Sequence, residues 1–162
     1  MNEQLHSLQT SLSLAQANAI LSECLAVRQR EGLLPLAVAV LDAGGQLLTF
    51  QREDGCGILR YDIAFGKAWA ALGMGMSTRL IRDRLANRPA FQSALASVSD
   101  GRFIPVPGGV LILNAQSTVI GAVGVSGDAS DRDEYCAIHA IQMAGLGCEP
   151  SSHQPEWRNA GL

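Results

Sequence analysis

The chain has 162 residues, of which 48% are apolar and 17% charged, and its formal net charge is −3. This length predicts one domain with a usable core, and the slightly acidic balance excludes a basic nucleic-acid footprint. The apolar runs are broken by Gly, Pro or charge well short of the roughly 20 residues of a membrane span, so a soluble protein is expected. Met1 to Thr10 lack a basic cluster followed by an apolar run, which argues against a secretory signal and predicts cytoplasmic residence.

Ser13 and Gln16 have the spacing of a capping box, and Ala17, Ile20, Leu21, Cys24 and Val27 then recur at helical spacing. The pattern predicts a helix from Leu14 to Glu31, stopped by Gly32. Leu36 to Leu41 and Gln46 to Gln51 read as strands joined at Asp42–Gly45, an antiparallel hairpin. After the loop Arg52–Gly57, the Ala-rich, proline-free stretch Ile58 to Met74 predicts a second long helix.

Ser77 caps a helix over Thr78 to Ala86, and Pro89 opens another through Ser97. The arginines of this segment, Arg79, Arg82, Arg84 and Arg88, spread around the helix and read as a solvated surface. Val110 to Leu113 and Thr118 to Ser126 form a second predicted hairpin. Ser130 and Asp133 are read as the cap of a last helix reaching Leu146, and the segment from Cys148 onward as an irregular tail that Trp157 could dock. The domain is thus expected over residues 1–147 and the tail over 148–162.

Arg60 and Lys67 are seven residues apart on the second helix, nearly two turns, which sets them about 10 Å apart on one face. Two cations on a rigid element suit a ligand with carboxylates: Arg60 as a bidentate donor, Lys67 as a point charge. Lys67 lies between Phe65-Gly66 and Ala68-Trp69, an apolar setting for a lysine. Arg52 and Asp54 flank the loop ahead of that helix, at the rim of any site it lines. Cys56 sits between Gly55 and Gly57, where a thiol can be reactive, although no base is identified beside it.

Pro107-Gly108-Gly109 permits close backbone approach, and its N–H groups are expected to be open to an anionic oxygen. Ser126 is a further contact candidate on the turn that follows the last strand. Neither a dinucleotide nor a phosphate-loop glycine pattern is present. Cys24, Cys56, Cys136 and Cys148 show no C-x-x-C spacing and read as free thiols, and His6, His139 and His153 show no metal spacing, so no metal is expected.

The ordered set Val38–Gly45, Arg52–Gly55, Asp62–Ala68, Pro107–Gly109 and Ile120–Gly127 resembles the GlcG/HbpS family, a DUF336-type group of haem-binding or haem-degrading domains, over Leu12 to Gly147. The resemblance implies an α/β sandwich of profilin-like topology, an antiparallel sheet of two hairpins flanked by helices, assembled as a homo-oligomer. It also implies haem as a possible cofactor and, for some members, a setting in small-acid catabolism. Arg60 and the Arg-rich segment from Met74 to Phe103 depart from the family pattern.

The leading expectation is a small-ligand protein that takes an anion such as haem between the Lys67 helix and Pro107–Gly109, with Arg52, Arg60 and Lys67 on its carboxylates. The alternative is a cofactor-independent isomerase, lyase or hydrolase of a small organic acid, in which Asp54, Lys67 or Cys56 exchanges a proton.

Overall fold

In the computed structural model, which describes residues 5–162, the elements follow the order α1 (Leu14–Glu31), β1 (Ala37–Asp42), β2 (Leu47–Arg52), α2 (Arg60–Met74), α3 (Thr78–Leu85), α4 (Pro89–Val98), β3 (Gly109–Leu113), β4 (Val119–Ser126), α5 (Ser130–Met143), β5 (Gly147–Glu149) and a closing 3-10 turn, Trp157–Asn159. The strands form one antiparallel sheet in the order β2-β1-β4-β3-β5. The expected α/β sandwich is therefore the fold, with α1 and α5 on one face and α2 on the other.

The alternation of β1 explains the layers. Val38 and Val40 join the core under α1 and α5, with Ile20, Leu21, Val110, Ile112, Val123, Val125, Ile138 and Ile141. Ala37, Ala39 and Leu41 point the other way, towards Ala64, Ala68 and Ala71 of α2. Small residues dominate this second face because α2 lies almost on the sheet. A Cβ at Gly124 would overlap the Ala64 carbonyl and stand 2.9 Å from Ala68 N, so only glycine allows the approach.

Helix α1 has the expected bounds, with Ser13 Oγ accepting the Gln16 N–H at 3.1 Å and the Gln16 side chain accepting the Ser13 N–H at 3.1 Å. Helix α2 begins at Arg60 rather than Ile58, because Ile58 and Leu59 occupy a turn closed by the Arg60 N–H on Gly57 O at 3.1 Å. Helix α5 differs more. Its N-cap is Ala129, not Ser130, and Asp133 is drawn inward, so the Ser130–Asp133 box does not form. The helix ends at Met143, short of Leu146, where Gly145 takes a φ of 75°.

Part of the tail is ordered by pairing and stacking. Gly147–Glu149 extends the sheet along β3. Trp157 is buried and stacks on Tyr135 with centroids 3.7 Å apart, while Arg158 lies over the Trp157 ring at 4.3 Å. No described helix is long and apolar enough to cross a membrane.

Candidate functional site

The antiparallel register brings the start of β1 and the ends of β2 and β4 to one end of the sheet, with Ala37 opposite both Arg52 and Ser126. The start of β3 and the first turns of α2 and α5 reach the same end, so residues distant in sequence converge there.

Lys67 leaves α2 and runs past the ends of β3 and β4 to the other helical layer. Its Nζ donates to Val125 O and to Asp133 Oδ2 of α5, each at 2.9 Å. The pair is buried, the side chains being 2% and 1% exposed. Passage depends on Gly108: its φ of 117° lies outside ordinary L-residue space, and a Cβ there would stand 2.9 Å from the Lys67 Nζ. Asp133 Oδ1 accepts the Asp128 N–H at 3.0 Å, and Asp128 in turn accepts the N–H groups of Ala129 at 2.7 Å and Leu34 at 2.9 Å.

This arrangement corrects two expectations. No gap opens between α2 and Pro107–Gly109, because a Cβ on Gly109 would collide with the Lys67 carbonyl. Nor is the Gly109 N–H open to a ligand, since it donates to Thr78 Oγ1 at 2.8 Å. Pro107, Gly108, Gly109, Ser126 and Lys67 are all buried, and in this chain they form the floor of the site rather than its open wall. Burial pushes the Asp133 carboxyl above the usual carboxylate range, with Lys67 opposing the rise.

The open cations are Arg60 and Arg52. Arg60 is half-buried, and one of its terminal N–H groups donates to Ser126 Oγ at 3.1 Å. Arg52 is exposed and donates to Cys56 O at 3.3 Å. Among the described residues neither has a carboxylate in ion-pair range. By contrast Arg28, nearby, meets Glu53 at 3.4 Å. Exposed apolar side chains flank these elements in the sequence: Ile58 and Leu59 precede Arg60, Leu34 precedes β1, and Val106 precedes β3.

The proton-exchange candidates differ in depth. Cys56 is buried, and burial raises its thiol, an effect that Arg60 and Arg52 oppose. Asp54 is exposed. No hydrogen bond joins Asp54, Cys56 and Lys67 among the described residues. Asp133 is the partner that sequence reasoning missed, having been assigned to a helix cap. The available signal was Lys67 itself: a lysine embedded in an Ala-rich apolar helix requires a buried counter-ion.

The chain is thus an α/β sandwich with a lysine–aspartate pair across its sheet end and two arginines without an ion-pair partner among the described residues beside it. The family model described as haem degrading protein, HbpS-like, matches residues 12–142, and the chain belongs to that family. It is 32% identical over 108 residues, covering 67% of this chain and 75% of the relative, to an uncharacterised 15.0 kDa protein from the dhaT–dhaS intergenic region of Citrobacter freundii. Among solved structures it is similar to Klebsiella pneumoniae ORFY, with 29% identity, a TM-score of 0.75, and 90% of this chain and 97% of that one covered. A double mutant of Streptomyces reticuli HbpS gives 26% identity and a TM-score of 0.71, over 88% of this chain and 92% of that one. PduOC, solved as a haem complex, shares the fold at 24% identity with a TM-score of 0.76, over 88% of this chain and 99% of that one.

Proposed function

We propose that the protein binds a carboxylate-bearing small ligand, haem first among candidates, at the sheet end bordered by Arg52, Arg60, Ile58, Leu59 and Val106. The observation that carries this reading is the half-buried Arg60 guanidinium, whose single acceptor among the described residues is a neutral hydroxyl. A partly desolvated cation with unused donors gains most from an arriving carboxylate. The exposed Ile58 and Leu59 offer an apolar border, which suits a ligand with a broad apolar body. The haem-bound PduOC and the HbpS-like family support haem as the candidate. Assembly as a homo-oligomer belongs to the same reading, because that apolar border is available to a second copy as well as to a ligand.

Haemin titration followed at the Soret band tests the reading in Arg60→Ala and Arg52→Ala, with light scattering before and after loading. A saturable change is expected in the wild type, weakened at least about 10-fold by Arg60→Ala, the loss of one charge-assisted contact. A nonsaturable response, or one that Arg60→Ala leaves unchanged, refutes it.

A further inference from the structure

We propose that the cavity between α2 and α4 binds a small monocarboxylate with an aromatic or branched aliphatic body. The cavity has a volume of about 280 Å³ and is lined by Trp69, Gly73 and Met74 of α2, Leu95 and Val98 of α4, and Ser99 and Phe103 beyond it. Two lining side chains carry polar atoms: the Ser99 hydroxyl is committed, donating to Ala96 O and accepting the Phe103 N–H, both at 3.1 Å, and the Trp69 indole nitrogen lies beside Gly45, which is not part of the lining. The interior therefore offers apolar contact alone. The volume lies just below the roughly 300 to 1,000 Å³ of drug-sized ligand sites, which selects a body of one ring or a short branched chain.

The charge of the ligand is read from the rim. Arg102 Nε donates to Ser99 O at 3.0 Å, and its guanidinium sits 4.6 Å from the Trp69 ring centroid, so two lining residues hold it in place. Its terminal N–H groups have no hydrogen-bond or carboxylate partner among the described residues. A fixed fork of donors at the mouth of an apolar cavity complements a carboxylate.

The α4 wall is also unfinished. This ten-residue helix carries Phe91, Leu95 and Val98 and no charged residue, yet none of its residues is buried, and Val98 is 82% exposed. An apolar ligand would cover Leu95 and Val98 and so complete that helix's packing. The site is separate from the arginines at the sheet end: Arg60 and Met74 are the two ends of α2, roughly 20 Å apart along its axis.

Calorimetric titration with phenylpropionate and with its neutral analogue phenylpropanol decides the matter, using wild type, Arg102→Gln and Leu95→Trp. Saturable binding of the acid is expected, with the alcohol at least about 10-fold weaker. Arg102→Gln should erase that difference, and Leu95→Trp, which fills the cavity, should abolish binding. Haemin should not compete. Equal affinity for acid and alcohol in the wild type, the absence of saturation, or undiminished binding to a folded Leu95→Trp overturns the proposal. If Leu95→Trp fails to fold, the surface variant Arg102→Gln still decides it. A change of mass in light scattering on Val98→Asp, without carboxylate binding by the wild type, would assign the face to a second copy instead and likewise overturn it.

Discussion

Replacing Lys67 by methionine removes one half of the buried pair and leaves the Asp133 carboxylate in an apolar setting, with the Asp128 N–H as its remaining donor. Breaking one partner of such a pair costs about 3 to 5 kcal/mol. At about 2 to 4 °C per kcal/mol for a chain of this size, the melting temperature should fall by roughly 6 to 20 °C. The pH dependence has a definite sign. Lys67 is the main influence holding the burial-raised Asp133 carboxyl down, so its removal sends that carboxyl further up. A group raised in the folded state keeps its stability at pH below its unfolded range and loses it as pH rises through the folded value. The defect of Lys67→Met should therefore shrink on acidification, when Asp133 takes a proton, and be largest in base. The double variant Lys67→Met, Asp133→Asn keeps an oxygen for the Asp128 N–H and removes the charge. It should recover to within about 1 to 2 kcal/mol of the wild type. Urea denaturation between about pH 5 and pH 8 measures all three proteins. A single-variant loss below about 1 kcal/mol, or a pH-independent defect that the double variant fails to relieve, would refute the reasoning.

Glu134, next to Asp133 on α5, has no exposed surface, and neither of its carboxylate oxygens has a hydrogen-bond partner among the described residues; Arg79 Nε stands 3.4 Å from Oε1 without hydrogen-bond geometry. Burial pushes this carboxyl from 4.5 up to about 7, against the pull of Arg79 and Arg82 and with help from Asp131 and Glu149. Since the folded value is the higher one, its stability is present below about pH 4.5 and lost as pH rises towards 7, a change on the order of 3 kcal/mol. Urea midpoints across this range should show the decline in the wild type and not in Glu134→Gln, and parallel curves would exclude it. Gly124→Ala should cost about 1 to 3 kcal/mol or more by forcing α2 off the sheet, read as a lowered thermal midpoint; an unchanged midpoint would show that the helix has room to move.

The layers and most element ends were legible in the sequence because their determinants are local. Ser13 with Gln16, Gly32, the proline at position 89 and the alternation of β1 each act within a few residues. The differences arise where a distant partner competes. Asp133 has the spacing of a capping residue, but a buried lysine about 66 positions earlier binds it more strongly than a helix end can. Gly147–Glu149 has no strand pattern of its own and is ordered by the free edge of β3. In the site, the shared stripe of Arg60 and Lys67 followed from helical spacing, whereas their meeting with Gly108 and Ser126 depends on the pairing of β4 with β1 and β3. What spacing could not show was depth, because depth depends on how closely Gly109 and Gly124 let α2 approach.

That depth gives two cations on one helix face different chemistry. Lys67 presents a compact ammonium that is held by one carboxylate and one carbonyl. Exchanging Asp133 for a ligand would strand a buried carboxylate, so the pair resists exchange and serves to lock the two helical layers across the sheet end. Arg60 stands at the start of α2, where the sheet no longer covers it, and its planar fork has more donors than Ser126 can accept. It meets the desolvation cost of partial burial without the return of an ion pair. On the proposed reading, affinity for an anion at this end would come from the arginines, with Lys67 acting indirectly by fixing the floor on which Ser126 and Arg60 rest. On the same reading, the exposed Ile58, Leu59 and Val106 would favour anions with an apolar body over small hydrated acids that leave these side chains in water.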